Sequence, residues 1–131
     1  MHLTKSRADD FLLSIFALAQ DMGGGGELIF RGYDPEIQRL FYELQQLHQD
    51  SLDVLVYSES GPRPYSRILE EGMINLIFGG VLKSDTVGEY KQLTKAGYDF
   101  FKKEILPDLS QDELTELRKV SMDFLKYGQF K

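Results

Sequence analysis

The sequence predicts a mostly helical α+β fold, and three observations lead to that prediction. Apolar residues recur at three- and four-residue spacing in five stretches, which is typical of amphipathic helices. Two short segments on either side of residues 84–88 have the pattern of a β-hairpin. The chain has 131 residues, which suits one domain with a single core. We therefore expect a core over about residues 5–105 and a last helix over about residues 110–127.

The first predicted helix precedes a run of four glycines. Thr4 or Ser6 supplies a hydroxyl for the N-cap, and the helix should end near Met22, because residues 23–26 (GGGG) make its continuation unfavourable. Its apolar stripe comprises Phe11, Leu12, Ile15, Phe16 and Ala19. We interpret the glycines as a flexible joint and not as a phosphate-binding loop, since no lysine or hydroxyl residue follows them at the required spacing.

A second helix and a strand are predicted next. Asp34 as N-cap and Pro35 at the first helical position mark where the helix begins, and residues 27–32 before it suit a short extended segment. Residues 52–57 (LDVLVY) are few, apolar and rich in β-branched side chains, which favours a strand.

A proline-containing elbow leads into the third predicted helix. In residues 61–64 (GPRP), each proline biases the residue before it toward extended geometry. The helix should then run over residues 65–78 and end at Gly79 and Gly80. Its apolar face comprises Ile68, Leu69, Met73, Leu76 and Ile77.

The hairpin and two further helices complete the chain. The hairpin begins near Val81 and returns through residues 90–93. Thr94 is positioned to cap a fourth helix that reaches about Ile105. Ser110 and Glu113 have the spacing of a capping box, which marks the start of the last helix.

One face of the last helix is apolar, and it has two interpretations. It comprises Leu114, Leu117, Phe124 and Tyr127. The face either packs on the first helix of the same chain or pairs across a two-fold axis in a homodimer. The dimer would place two copies of the third helix side by side, and we expect it.

The predicted order is helix, helix, strand, helix, hairpin, helix and helix, which is a winged helix-turn-helix with an additional C-terminal helix. In this arrangement the third helix enters the major groove of DNA and the hairpin reaches the backbone. The residues expected to contact DNA are Arg63, Ser66, Arg67, Lys83 and Lys91. Glu70 and Glu71 follow within one turn and would repel phosphates, so a solvated face of mixed charge remains an alternative.

The residue types of most catalytic and metal sites are missing or scattered. The chain has no cysteine, and its only histidines are His2 and His48, neither at a recognised metal-ligand spacing. Adjacent carboxylates such as Glu70 and Glu71 point in different directions on a helix, and no serine lies in a nucleophile elbow. We therefore expect no enzyme activity, no metal and no cofactor.

The net charge of −6 is unevenly distributed. Residues 1–60 carry four basic and ten acidic side chains, whereas residues 61–106 carry seven basic and six acidic ones. An acidic chain is not steered toward nucleic acid over long distances, so DNA binding requires a local basic face. The longest apolar run, residues 11–19, is too short to span a bilayer, and we expect a cytoplasmic protein without a membrane partner.

Two stretches together resemble known families of small regulators. Residues 60–82 (SGPRPYSRILEEGMINLIFGGVL) and 89–103 (EYKQLTKAGYDFFKK) are similar to the wing region of PadR- and MarR-type winged-helix regulators. The Gly-Pro turn before a helix that opens with Tyr-Ser is also similar to Panacea (SocA-like) proteins, which are linked to toxin–antitoxin systems. The chain departs from them by inserting Arg63 and Pro64, and by carrying Tyr57 where tryptophan is frequent.

This resemblance covers roughly residues 52–105 and implies one of two functions. The first is a DNA-binding transcriptional regulator of bacterial or phage origin that contacts double-stranded DNA. The second is a protein-interaction module, an antitoxin or adaptor whose acidic surface meets a basic partner. The arginines of the elbow favour the first function, and the net charge favours the second.

Overall fold

The computed structural model describes residues 8–24, 26–58 and 61–131. Over these ranges the chain forms five α-helices and a small three-stranded antiparallel sheet, which confirms the mostly helical α+β class. In chain order the elements are α1 (Ala8–Met22), β1 (Ile29–Arg31), α2 (Asp34–Leu47), α3 (Arg67–Phe78), β2 (Leu82–Ser84), β3 (Tyr90–Leu93), α4 (Lys95–Phe100) and α5 (Gln111–Tyr127). A π-helical turn (Phe101–Ile105) and a 3₁₀ turn (Leu106–Asp108) continue α4.

Helix α1 lies in the centre of the molecule. Its residues from Phe11 to Ala19 are all buried, including Ser14, which donates a hydrogen bond to the carbonyl of Asp10. The sequence predicted a single apolar stripe, but α1 contacts α3, α4 and α5 on different sides. A helix surrounded in this way is apolar on all sides.

An aromatic cluster joins four elements in the core. Phe16 of α1 stacks on Phe30 of β1 with ring centroids 4.7 Å apart, and Phe41 of α2 meets Phe16 edge-on at 6.3 Å. Phe124 of α5 lies 5.4–6.1 Å from the other three rings, and all four are buried. Offset and edge-to-face contacts of this kind stabilise a core beyond the area they bury.

The sheet has the strand order β1-β3-β2, with every pair antiparallel. The predicted hairpin is therefore confirmed and consists of β2 and β3. The extended segment expected within residues 27–32 forms β1, which is the third strand of the sheet. Residues 129–131 run beside the outer edge of β1, where the amide of Arg31 donates to the carbonyl of Gln129 and the amide of Lys131 donates to the carbonyl of Ile29.

Hydroxyl side chains cap three helices, and Thr94 and Ser110 do so as predicted, whereas Ser66 caps a third helix that begins at Arg67 and not at residue 65. Ser66 accepts a hydrogen bond from the amide of Leu69, and Thr94 accepts one from the amide of Gly97. Ser110 and Glu113 form the predicted capping box, each side chain bonding the backbone amide of the other. The predictions for Thr4 and Ser6 lie outside the described residues.

Two predictions about the first half of the chain were wrong. Asp34 is the first residue of α2 and not its N-cap, which is Tyr33. Residues 52–57 form turns and not a strand, because the side-chain amide of Gln45 donates to the carbonyls of Leu52 at 2.8 Å and Leu55 at 2.6 Å. The side chain of Gln45 thus supplies hydrogen bonds that the amides of a neighbouring strand would supply in a sheet. Tertiary contacts override β propensity in this segment.

Candidate binding surface

The start of α3 is fixed from inside the molecule. Ser66 is fully buried, and its backbone forms two hydrogen bonds with the side chain of Gln38 in α2. The Gln38 Oε1 atom accepts from the Ser66 amide at 2.8 Å, and its Nε2 atom donates to the Ser66 carbonyl at 3.0 Å. Ser66 was predicted to contact DNA, and this prediction requires correction, because its polar groups are used inside the protein.

The two arginines of the elbow lie on the surface. Arg63 is exposed, as is Arg67 in the first turn of α3. Arg67 donates to Glu71 one helical turn later, with Nε and Oε1 2.9 Å apart. Exposed pairs of this kind contribute little to stability and are weakened by salt.

The two hairpin lysines lie on opposite faces of the sheet. Lys83 pairs with Gln92 and is exposed on the outer face. Lys91 points inward, where its Nζ atom donates to Ser84 Oγ at 3.1 Å and to the Gly88 carbonyl at 2.9 Å. Lys91 is only 9% exposed, so the prediction that it contacts DNA requires correction. Successive residues of a strand point to opposite faces of the sheet. The sequence prediction treated the hairpin lysines as one basic surface and did not include this alternation.

The predicted dimer face of α5 is largely internal. Leu117 and Phe124 are buried in the core of the same chain, where Phe124 joins the aromatic cluster. Their assignment to a dimer interface therefore requires correction, and the alternative of packing on α1 holds. Leu114 is half-buried and Tyr127 is exposed. A homodimer through this helix would have to use exposed residues such as Tyr127.

An apolar groove lies between α3 and the hairpin turn. It has a volume of about 390 Å³, and we call it the α3–hairpin groove. Its apolar lining comprises Tyr33, Ile37, Met73, Ile74, Ile77 and Val87. Three of these side chains reach solvent, with exposed fractions of 47% for Tyr33, 44% for Ile74 and 73% for Val87. Adjacent exposed apolar side chains mark interaction sites more often than isolated ones do.

Three charged side chains also line the groove, namely Asp34, Glu70 and Lys91. Partial burial raises the pKa of Asp34, the negative charge of Glu70 raises that pKa further, and Lys91 opposes both effects. The Lys91 stem passes so close to Gly32 that a β-carbon there would collide with it. The groove therefore combines apolar walls with two carboxylates that repel each other.

Comparisons of this chain with protein-family models, curated proteins and solved structures gave no match. The chemistry of the surface is therefore the evidence for its function.

His48 was considered as a metal ligand in the sequence, and in the structure its side chain contacts a neighbouring helix. His48 is the C-cap of α2, and its Nε2 atom lies 2.6 Å from Asp123 Oδ2 of α5, so the side chain joins two helices. Within the described ranges, no three metal-ligating side chains come together as a possible metal site. None of the helices in those ranges combines the length and apolarity needed to cross a membrane.

The groove and the Gln38 contact were not predicted from the sequence. The groove is formed by three separate segments, the β1–α2 junction, α3 and the hairpin turn, which pattern analysis treats one at a time. One signal was available, since Ile74 and Val87 are large apolar residues outside the predicted apolar face of the third helix and at the hairpin turn. Gln38 gave no signal, because a polar residue in an amphipathic helix is expected to face solvent.

Replacing Glu70 by glutamine should lower the pKa of Asp34 toward its ordinary value, because one cause of the increase is removed. The raised pKa means that this carboxyl favours folding at low pH, and that its contribution is lost as the pH rises through the folded pKa. In Glu70→Gln, the stability contributed by Asp34 should therefore fall less as the pH rises. An NMR titration of the Asp34 carboxyl carbon measures the change. The matched variant Glu71→Gln, one residue away, should leave the pKa unchanged, and an equal change in both variants would contradict the assignment.

Proposed function

We propose that this chain is a non-catalytic protein-binding module built on the winged-helix arrangement. The chain order α1-β1-α2-α3-β2-β3 and the strand order β1-β3-β2 support that arrangement. The hairpin directly follows α3 and lines a groove with it, so the two elements correspond to a recognition helix and its wing. Helices α4 and α5 are additions to this unit, and α5 completes the core.

The observation that carries the proposal is the character of the exposed side of α3. The helix contains one arginine and two glutamates, and its arginine is paired with Glu71. Large apolar side chains occupy much of the remaining exposed side, and Phe78 is 87% exposed. A helix that enters the major groove presents cations and hydrogen-bonding groups to phosphates and base edges. An acidic and apolar helix face suits the surface of another protein.

DNA binding is the second candidate function, and the exposed cations favour it. Arg63 and Arg67 are exposed before and within the first turn of α3, and Lys83 is exposed on the hairpin. Lys83 lies on the sheet face opposite Lys91, which lines the groove beside α3. One duplex would therefore have to contact two differently oriented surfaces.

Binding of a labelled random-sequence DNA duplex, followed by fluorescence anisotropy over a salt series, separates the two functions. We expect no binding at low salt. Salt-dependent binding that weakens in Arg63→Glu/Arg67→Glu, but not in the matched variant Arg118→Glu/Lys126→Glu, would overturn the proposal. Each lost phosphate contact should then reduce the slope of log K against log salt by about 0.9.

The positive test is selection of random peptides displayed on phage against the full chain. We expect enrichment of peptides that bind the purified protein in solution. DNA binding together with failure to enrich any such peptide would favour the second candidate.

A further inference from the structure

The α3–hairpin groove is open to solvent, and part of its apolar lining is exposed. Ile74 and Val87 are exposed on opposite sides of it, one on α3 and one on the hairpin turn. Met73 and Ile37 lie deeper and are buried. A side chain placed between Ile74 and Val87 would remove apolar surface from water on both walls. Small-molecule ligands are usually buried for most of their surface, which an open groove of this kind does not provide.

The charges of the groove define the chemistry of its occupant. Asp34 and Glu70 both line the groove. Partial burial is the larger cause of the raised pKa of Asp34, and the negative charge of Glu70 adds to it. The ammonium group of Lys91 is held by Ser84 and Gly88, so it is not directed at either carboxylate by a hydrogen bond. A cation supplied from outside would stabilise both carboxylates. Charge complementarity therefore selects a basic occupant and disfavours the phosphates of DNA.

We propose that the α3–hairpin groove holds a basic segment of a partner protein. An apolar side chain of that segment inserts between Ile74 and Val87, and its lysine or arginine pairs with Asp34 and Glu70. This inference rests on the proposed protein-binding function and adds the location and the class of partner. A second copy of the chain is a poorer occupant, because its net charge is −6 and the exposed side of α3 is itself acidic.

The test uses the full ¹⁵N-labelled chain and a synthetic amphipathic peptide of leucine and lysine. We expect chemical-shift changes concentrated at Ile74, Ile77 and Val87. A peptide with glutamate in place of lysine, and another with serine in place of leucine, should both fail to bind. These two peptides separate charge attraction alone from insertion of an apolar side chain.

Two pairs of variants locate the binding site. Ile74→Ser and Glu70→Lys should each weaken binding of the leucine–lysine peptide by about tenfold or more, because each removes one half of the recognition. Met122→Ser and Glu104→Lys are matched changes at exposed positions outside the groove, and they should leave the affinity unchanged. Val87→Ser provides a second apolar change at a site that is 73% exposed, where folding is not at risk.

Four outcomes would overturn the inference. Shifts spread over the acidic surface, with equal effects of Glu70→Lys and Glu104→Lys, would show attraction without a groove. A concentration-dependent dimer in sedimentation that Ile74→Ser abolishes would identify a second copy as the occupant. Peptides selected on phage that bind elsewhere on the chain would refute the groove while leaving the proposed function standing. Competition of a DNA duplex for the same residues would refute both proposals.

Discussion

Replacing Phe124 by alanine should lower the free energy of unfolding by about 3–5 kcal/mol, the usual range for truncating a buried phenylalanine. The Phe124 ring lies within 6.1 Å of Phe16, Phe30 and Phe41, which come from three other elements. Its removal leaves a cavity where α1, α2, α5 and the sheet meet. Urea denaturation followed by circular dichroism measures the change, and the slope with denaturant should stay constant.

The matched control for this change is Phe78→Ala. Phe78 is 87% exposed, so its truncation should alter the free energy of unfolding by no more than about 0.5 kcal/mol. Similar losses in the two variants would contradict the assignment of Phe124 to the core of a single chain. If the loss of unfolding free energy in Phe124→Ala grew at low protein concentration, Phe124 would belong to a dimer interface, because subunit association depends on concentration.

Replacing Gln38 by leucine should also be strongly destabilising. The leucine side chain is close in size, but it leaves the buried amide of Ser66 without its partner and removes one of the two hydrogen bonds to the Ser66 carbonyl, which keeps the bond from the Glu70 amide. Each buried backbone group that loses its hydrogen bond costs about 1–3 kcal/mol. The start of α3 should loosen at the same time, and hydrogen exchange of the Leu69 amide, which donates to the Ser66 hydroxyl, reports this directly.

Gln46→Leu is the matched control, because Gln46 lies on the same helix and is exposed. We expect its stability to change by less than about 0.5 kcal/mol. If Gln38→Leu were equally mild and the exchange of Leu69 unchanged, the contact between α2 and α3 would not position α3. The orientation of the α3–hairpin groove would then require another cause.

The features that the sequence predicted correctly depend on local signals. Hydroxyl side chains cap α4 and α5, as the positions of Thr94 and Ser110 indicated. The hairpin was recognisable because Val81 and Leu82 lead into a polar turn that ends at Gly88, and residues 90–93 return from it. Residues 52–57 were mispredicted because strand propensity does not include the side chain of Gln45, which lies in α2 and donates to the carbonyls of Leu52 and Leu55.

The candidate site was less predictable, because its properties depend on which face each side chain occupies. Arg63, Arg67 and Lys83 are exposed, as their charge predicted. Serine and lysine are residue types that often contact DNA from a protein surface, yet neighbouring elements bury Ser66 and Lys91. The groove arises only when α3 packs beside the hairpin, so no single segment contains its pattern.

The pairing of residues 129–131 with β1 restricts how a partner can approach. An unpaired strand edge offers amides and carbonyls to any extended chain, and many peptide-binding proteins use it for β-augmentation. Here the hydrogen bonds of Arg31 and Ile29 to Gln129 and Lys131 already occupy that edge. An incoming strand would first have to displace this segment. Recognition at β1 through main-chain pairing is thus blocked by the protein itself.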